Sequence, residues 1–426
     1  MNSRIIILGG NPETASLFEV AKKMGLFTIA CNPYKDSPVK QLSDLFFEID
    51  PKDAAAIDKI ILEQNVSGVV LGVSDPLLTF YKSICERNNL PCYANSQSLY
   101  AFSSKSNFYE ICQRYYLNPI PQLGIVSSIE FEIDQLNYPV VVKPIDGGAA
   151  VGVSECNSLE ELRLGIKRAL EVSSKKQVVI EKSMKCDDLF AYYTFIGGKV
   201  FLTAVADRIK SDKNEGLPRV CLYANYPSKH LGPFLNEVNP KLIAMFKQLD
   251  ISFGMLCIQF FFDGENFFPY DPGFRIQGEA PHVYVNELYG LDQREMLIKC
   301  ALGNDFNSKE FEEKNDPRFM GKVARTIWVL GKLGIISKYE GMEEIKAAPG
   351  VLSVQTRFRH NEELTKEMIG TERQVLLRIH LIASSFKALD DLNCYVVSKL
   401  KVLDSNGKSL IQDIYNPKFL ETRTYE

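Results

Sequence analysis

Lys143 closes the apolar run YPVVVKP and abuts Pro144. A lysine in that position is costly to bury unless an anion meets it. The segment DGGAAVGV, Asp146 to Val153, follows directly. Its small residues let backbone amides approach an oxyanion closely, so Lys143 with Gly147 and Gly148 forms a phosphate-binding arrangement. The plainer alternative is a lysine that snorkels beside a hairpin loop. Glu181 ends a second apolar run, VVIEK. A carboxylate there can accept the exocyclic amine of adenine, and the backbone from Lys182 to Met184 can mimic a base-pair edge. Asp188, seven residues beyond Glu181, is placed to reach ribose hydroxyls. Taken alone, a glutamate at a strand end is a solvated element end.

The segment GMLCIQFFFDGENFFPYDPGFR reads as a hairpin turning at Asp263-Gly264. A turn centred at Gly264–Glu265 sets Gln259 opposite Tyr270, with Asp271 one step further. Gln259 and Asp271 converge on one face if a bulge adjusts the alternation. Oxygen donors at that point suit Mg2+ (or Mn2+) held with phosphate oxygens. Arg275, four residues later, can neutralise a transferring phosphoryl group. The alternative is a Phe-rich structural hairpin with ordinary surface polar groups. Gly9-Gly10 follows the first apolar run but lacks the full GxGxxG pattern. It is either a tight turn before a helix or a seat for a small anionic substrate. Each feature is weak by itself. Their order along the chain is the signal: Lys105, Lys143 with its loop, Glu181, then the hairpin.

These residues need elements to position them. Strand signals at Ile5–Leu8, Thr28–Cys31, Asp44–Ile49 and Gly68–Gly72 alternate with helical patterns at Thr14–Met24, Asp53–Gln64 and Pro76–Asn88. That order predicts a parallel, doubly wound sheet. A helix over Ser98–Tyr116 carries Lys105. Strands at Tyr138–Pro144 and Gln177–Lys182 flank a helix at Ser158–Glu171. A hairpin turning at Gly197-Gly198 and a helix at Pro240–Leu249 precede the second hairpin. From about 318 a third α+β unit follows, with strands at Gln374–Ile382 and Cys394–Leu403 and a charged surface tail after Pro417. The expected fold class is α/β and α+β. It comprises an N-terminal doubly wound parallel-sheet domain (1–95), a two-lobed domain (96–317, lobes about 96–182 and 183–317) and a C-terminal α+β domain (318–426).

Composition narrows the partners. The 426 residues carry a net charge of −4, without the basic excess of a nucleic-acid binder. No apolar run approaches the ~18 residues of a membrane span, and the N-terminus does not read as a signal peptide. The ten cysteines stand singly and only four histidines are present, which argues against zinc and for a cytoplasmic location.

The ordered motifs resemble the ATP-grasp superfamily over nearly the whole chain, nearest to biotin carboxylase, carbamoyl phosphate synthetase, the purine-pathway ligases and the L-amino-acid ligases. ILGGN…AKKMG…CNPYKDSP is similar to their N-terminal pre-ATP-grasp domain, and SKSNFYEICQRYYLNPIPQ to the helix bearing the first ATP lysine. KAAPGVLSVQ and VVSKLKVLDSNGKSL are similar to the C-terminal lobe. The resemblance implies ATP contacts from Lys105, Lys143, Gly147, Gly148, Glu181, Lys182, Met184 and Asp188. It implies metal contacts from Gln259 and Asp271, and a catalytic role for Arg275. Arg219, His230, His282, Arg357 and His360 become candidates to contact substrate. The implied reaction is a carboxylate–amine ligation through an acylphosphate, acting on small carboxylate and amine substrates, with a homodimer as a common assembly. Alternatives are a nucleotide-binding protein with weakened catalysis, or a subunit like carbamoyl phosphate synthetase or biotin carboxylase, although no biotinyl-lysine motif is present. The chain departs from the family pattern where Gln259 replaces a metal-binding Glu, Asp271 a second Glu, Gly273 an Asn, and Ala149-Ala150 a Gly-Ser pair.

Overall fold

The computed structural model describes residues 3–131, 136–146, 151–184, 186–211, 219–304 and 306–417. Gly147, Gly148 and the tail beyond Pro417 lie outside the described residues. Strands β1 (Arg4–Leu8), β2 (Phe27–Cys31), β3 (Leu45–Phe47) and β4 (Val66–Leu71) form a parallel sheet in the order β3-β2-β1-β4. Helices α1 (Ala15–Lys23), α2 (Ala54–Gln64) and α3 (Leu78–Arg87) alternate with them, as the sequence predicts. Ile5, Ile6, Ile7 and Leu8 are all fully buried. Burial on both faces explains why β1 is a continuous apolar run rather than an alternating one.

The adjacency of β1 and β4 brings the turns after them to one edge. Asn11 Nδ2 donates to Val73 O at 2.6 Å, and the Val73 amide donates to Thr14 Oγ1 at 3.1 Å. A Cβ on Gly72 would meet Thr14 at 2.5 Å, so only glycine permits this approach.

The helix expected over Ser98–Tyr116 is two helices, α4 (Ser96–Phe102) and α5 (Lys105–Arg114). Ser103 and Ser104 interrupt it, and the Ser103 hydroxyl back-bonds to Leu99 O at 2.6 Å. Lys105 thereby becomes the first residue of α5 instead of a mid-helix residue.

Strands β5 (Gln122–Val126), β6 (Val140–Pro144), β7 (Ser154–Cys156) and β8 (Val178–Lys182) form a small antiparallel sheet, ordered β5-β8-β6-β7. Val140, Val142, Val178 and Ile180 pack on helix α6 (Leu159–Val172) through Leu162, Ile166 and Ala169. The period-2 alternation then turns Lys143 and Glu181 to the opposite face.

Among the described residues the large sheet has nine strands. Its first part comprises β9 (Asp187–Ile196), β10 (Lys199–Lys210), β11 (Cys221–Tyr226) and the hairpin strands β12 (Phe253–Phe262) and β13 (Phe267–Phe274), in the order β13-β12-β9-β10-β11. Strand β14 (Val323–Gly331) pairs with β11, and Val375–Ala383 and Val351–Thr356 continue the sheet beyond it. The unit expected from 318 thus shares a sheet with the preceding one. Within it, the strand expected over Cys394–Leu403 is mostly helix: Phe386–Lys399 is helical and only Lys401–Leu403 is extended. Leu389, Asn393 and Val396 are buried at helical spacing, and Ser385 caps the first turn. These outweigh the strand preference of the YVV run.

Candidate active site

Lys143 and Glu181 meet on the free face of the small sheet. Lys143 Nζ lies 2.7 Å from Glu181 Oε2, with side-chain exposures of 9% and 6%. Antiparallel pairing sets Val141 beside Glu181 and Lys143 beside Val179, one step along the same face. The Lys143 ammonium also stands 5.7 Å from the Tyr270 ring centroid on the opposing hairpin. Asp146, at the entrance to the glycine loop, accepts from the Ser173 hydroxyl at 2.6 Å, from the Ser174 amide at 3.0 Å and from the Ser174 hydroxyl. Burial opposes its charge, but these bonds outweigh burial and hold its carboxyl below the usual range.

The hairpin supplies the facing wall. Counting from the turn sets Gln259 opposite Tyr270; the structure sets it opposite Asp271 instead, because the register shifts between Gln259 and Phe260. Tyr270 is the extra residue of this bulge. It stacks on Phe261 with centroids 4.5 Å apart. Its hydroxyl donates to Gln259 Oε1 at 2.8 Å and lies 3.1 Å from Asp188 Oδ1. Asp271 Oδ1 faces Lys105 Nζ at 3.2 Å. A small recess of about 10 Å³ lies between Lys105, Phe108, Ile120, Glu181 and Tyr270.

Asp188, placed at the ribose by resemblance, is buried and faces two cations. Lys210 Nζ is 2.6 Å from its Oδ2 and Arg208 Nη1 is 3.7 Å away. Arg208 Nη1 also donates to Gln259 Oε1 at 2.5 Å. Neither Arg208 nor Lys210 figured in the sequence reading. Their signal is a pair of cations two residues apart at the end of an apolar strand, VADRIK.

Arg275 leads to a second charged edge. Its Nη2 donates to Asp75 Oδ2 at 2.7 Å, joining the hairpin to the turn after β4. Beside it, Glu13 Oε1 faces Arg378 Nη1 and Arg357 Nε, each at 2.7 Å. Arg378 also meets Glu372 at 3.0 Å. Burial pushes the Glu13 carboxyl up, but the two guanidiniums outweigh it and hold it below the carboxylate range. Gly9-Gly10 therefore serves a turn that delivers Glu13 to these arginines.

Of the five residues named for substrate contact, the structure brings Arg357 to this edge. His230 lies 2.7 Å from Asp187, next to Asp188. Arg219 is exposed and donates through Nε to Ser211 O at 2.7 Å. His360 is likewise exposed and donates through Nδ1 to Ser337 O at 2.6 Å, anchoring a loop. His282 is buried against Tyr192, Thr203, Gln277 and Gln293, and neither ring nitrogen has a hydrogen-bond partner among the described residues. Lys182 is exposed, and its amide donates to Pro121 O at 3.1 Å. Met184 is half-buried just beyond it.

The family model for the D-ala D-ala ligase C-terminus matches residues 125–211, a stretch that holds Lys143, Glu181, Asp188 and Arg208. A formate-dependent phosphoribosylglycinamide formyltransferase of Prochlorococcus marinus is 24% identical over 196 residues, 45% of this chain and 50% of that protein. A D-alanine--D-alanine ligase of Staphylococcus epidermidis is 26% identical over 225 residues, 47% of this chain and 59% of that protein. The chain thus spans about half the length of the curated relatives it matches. Among solved structures, the L-amino acid ligase from Bacillus licheniformis matches with a TM-score of 0.78 at 19% identity, covering 95% of this chain and 99% of that one. This last likeness is one of fold, and it agrees with the α/β and α+β architecture described above.

Proposed function

We propose that the chain is an ATP-grasp protein that binds ATP between the small sheet and the hairpin and uses it to join a small carboxylate to an amine. The supporting observation is a pair of lysines each met by a carboxylate: Lys105, which lines the recess, by Asp271 at 3.2 Å, and Lys143 by Glu181, itself a lining residue, at 2.7 Å. Two ammonium groups so placed suit a polyphosphate. We propose the division into 1–95, 96–317 and 318–426 for the same reading.

Lys105 and Lys143 neutralise the phosphate oxygens, and Glu181 accepts from the adenine amine. Asp271 fits one Mg2+ (or Mn2+), since its carboxylate is the kind of hard oxygen donor such ions take alongside phosphate. When bound, that ion screens charge on the phosphates. The substrate carboxylate attacks the γ-phosphorus and ADP leaves, with Arg275 set to neutralise the phosphoryl group. The amine then attacks the acyl carbon, and phosphate departs. The edge formed by Glu13, Arg357 and Arg378 is suited to hold ionic groups of the two substrates. Among the described residues no helix is long and apolar enough to cross a membrane. A cytoplasmic homodimer is the assembly we propose.

A second reading is a nucleotide-binding protein with weakened catalysis. It is favoured by Gln259, whose carbonyl oxygen is taken by Arg208 and Tyr270. Release of ADP and phosphate, measured with Mg2+ across pairs of amino acids and small carboxylates, separates the two. Stoichiometric ADP with a particular pair supports the ligase. Nucleotide binding without turnover on every pair supports the second reading.

A further inference from the structure

At the hairpin corner, protein donors reach both Gln259 and Asp188. Gln259 Oε1 has two lone pairs. Arg208 Nη1 donates to it at 2.5 Å, and the Tyr270 hydroxyl, whose one proton is shared with Asp188 Oδ1 at 3.1 Å, stands 2.8 Å away. Asp188 faces Lys210 at 2.6 Å and Arg208 at 3.7 Å. Asp271 remains as the carboxylate directed at the phosphate side, beside Lys105 at 3.2 Å. Among the described residues, no group of three or more His, Cys, Asp or Glu converges as a metal cage.

We infer that this corner takes one divalent cation, at Asp271, and that the Arg208 guanidinium clamped on Gln259 supplies the positive charge a second ion would bring. The inference rests on the ATP reading above. A carboxylate carrying a divalent ion has a net charge of about +1, and so does a neutral carboxamide carrying a guanidinium. The two arrangements therefore present similar charge to phosphate oxygens. Arginine suits the task because it stays charged and offers several N–H donors in a plane. Nη1 serves Gln259 and Tyr270, while the buried Nε makes no hydrogen bond among the described residues. The Phe190 ring, 4.8 Å from the guanidinium carbon, holds the group in place. Because Arg208 is built into strand β10, this charge is present whatever the metal concentration.

The test counts Mn2+ bound to the full chain by electron paramagnetic resonance, at saturating non-hydrolysable ATP analogue, with calorimetry to measure the nucleotide. One Mn2+ per bound nucleotide is expected. Two per nucleotide overturn the inference and leave the ATP reading standing; absence of nucleotide binding overturns both. In the charge swap Gln259→Glu with Arg208→Gln, the count should rise to two, and a count that stays at one overturns the role given to Arg208. Arg208→Gln alone should weaken nucleotide binding about tenfold at fixed Mn2+ without changing the count. Unchanged affinity in that variant also counts against Arg208. The wild-type count decides the question even where the double variant does not fold.

Discussion

Lys105 Nζ lies 3.2 Å from Asp271 Oδ1, which ties the first residue of α5 to the far strand of the hairpin. The pair crosses the recess in which nucleotide is proposed to sit. Its side-chain exposures are 13% and 32%, so it is wet enough to open when a phosphate arrives. Lys143 and Glu181 form the second such pair, but drier. The two differ in what they do for the fold, and this difference can be measured.

Asp271→Ala should abolish ADP production. Nucleotide affinity should stay within about tenfold, ~1.4 kcal/mol, because the substitution removes one carboxylate competing for Lys105 while also removing a metal donor. Steady-state ADP release and calorimetric titration check the two halves separately. Full ADP production in this variant would remove Asp271 from the metal assignment.

Lys143→Met or Glu181→Leu alone should cost about 3–5 kcal/mol of stability, since each leaves one charge buried without its partner. The double variant should recover most of that loss. It should still fail to bind nucleotide, because both contacts are gone. Urea unfolding of the four proteins forms a double-mutant cycle. A double variant no more stable than the singles would mean that the pair is not the unit described.

The elements around Lys143 and Glu181 were legible because each residue ends an apolar run, and a charge closing such a run asks for a partner. The turn count at the hairpin was off by one because a bulge adds a residue that no spacing announces; Tyr270 is that residue. Glu13 and Arg378 were missed because they are 365 positions apart, and only the crossing of the turn after β1 over the large sheet joins them. Arg378 did carry a signal, a charge in the middle of VLLRIHLI. Cys394–Leu403 was misjudged from its β-branched centre. The deciding pattern lay upstream, in the helical spacing of Leu389, Asn393 and Val396.

Glu13→Ala should destabilise the protein by about 3–5 kcal/mol. It strips the shared acceptor from Arg378 and Arg357, whose side chains are 5% and 14% exposed. Glu13→Gln keeps an acceptor oxygen and should cost less. Adding Arg378→Met to Glu13→Ala should return part of the loss, since the buried charge goes with it. Chemical denaturation distinguishes these outcomes. Equal costs for Glu13→Ala and Glu13→Gln would show that packing, not charge, holds this edge.

Stability should fall on mild acidification, well before most carboxylates titrate. Burial, with Arg294 second, lowers the His282 pKa to about 3, and burial lowers that of His380 to about 4. An unfolded histidine takes up its proton near about 6.5. Between those values the unfolded chain binds more protons than the folded one, so stability is fully present above about pH 6.5 and is lost as pH falls. Each ring contributes a slope approaching 1.36 kcal/mol per pH unit. The His380 Nε2 proton is donated to Glu279 O at 2.9 Å, so His380→Gln retains a donor while removing the titration. His282→Gln likewise removes its titration. Each variant should lose about one proton's worth of slope in unfolding free energy between about pH 6 and 5. Urea unfolding at several pH values provides the test, and a slope unchanged in both variants would mean that these rings take up protons in the folded protein.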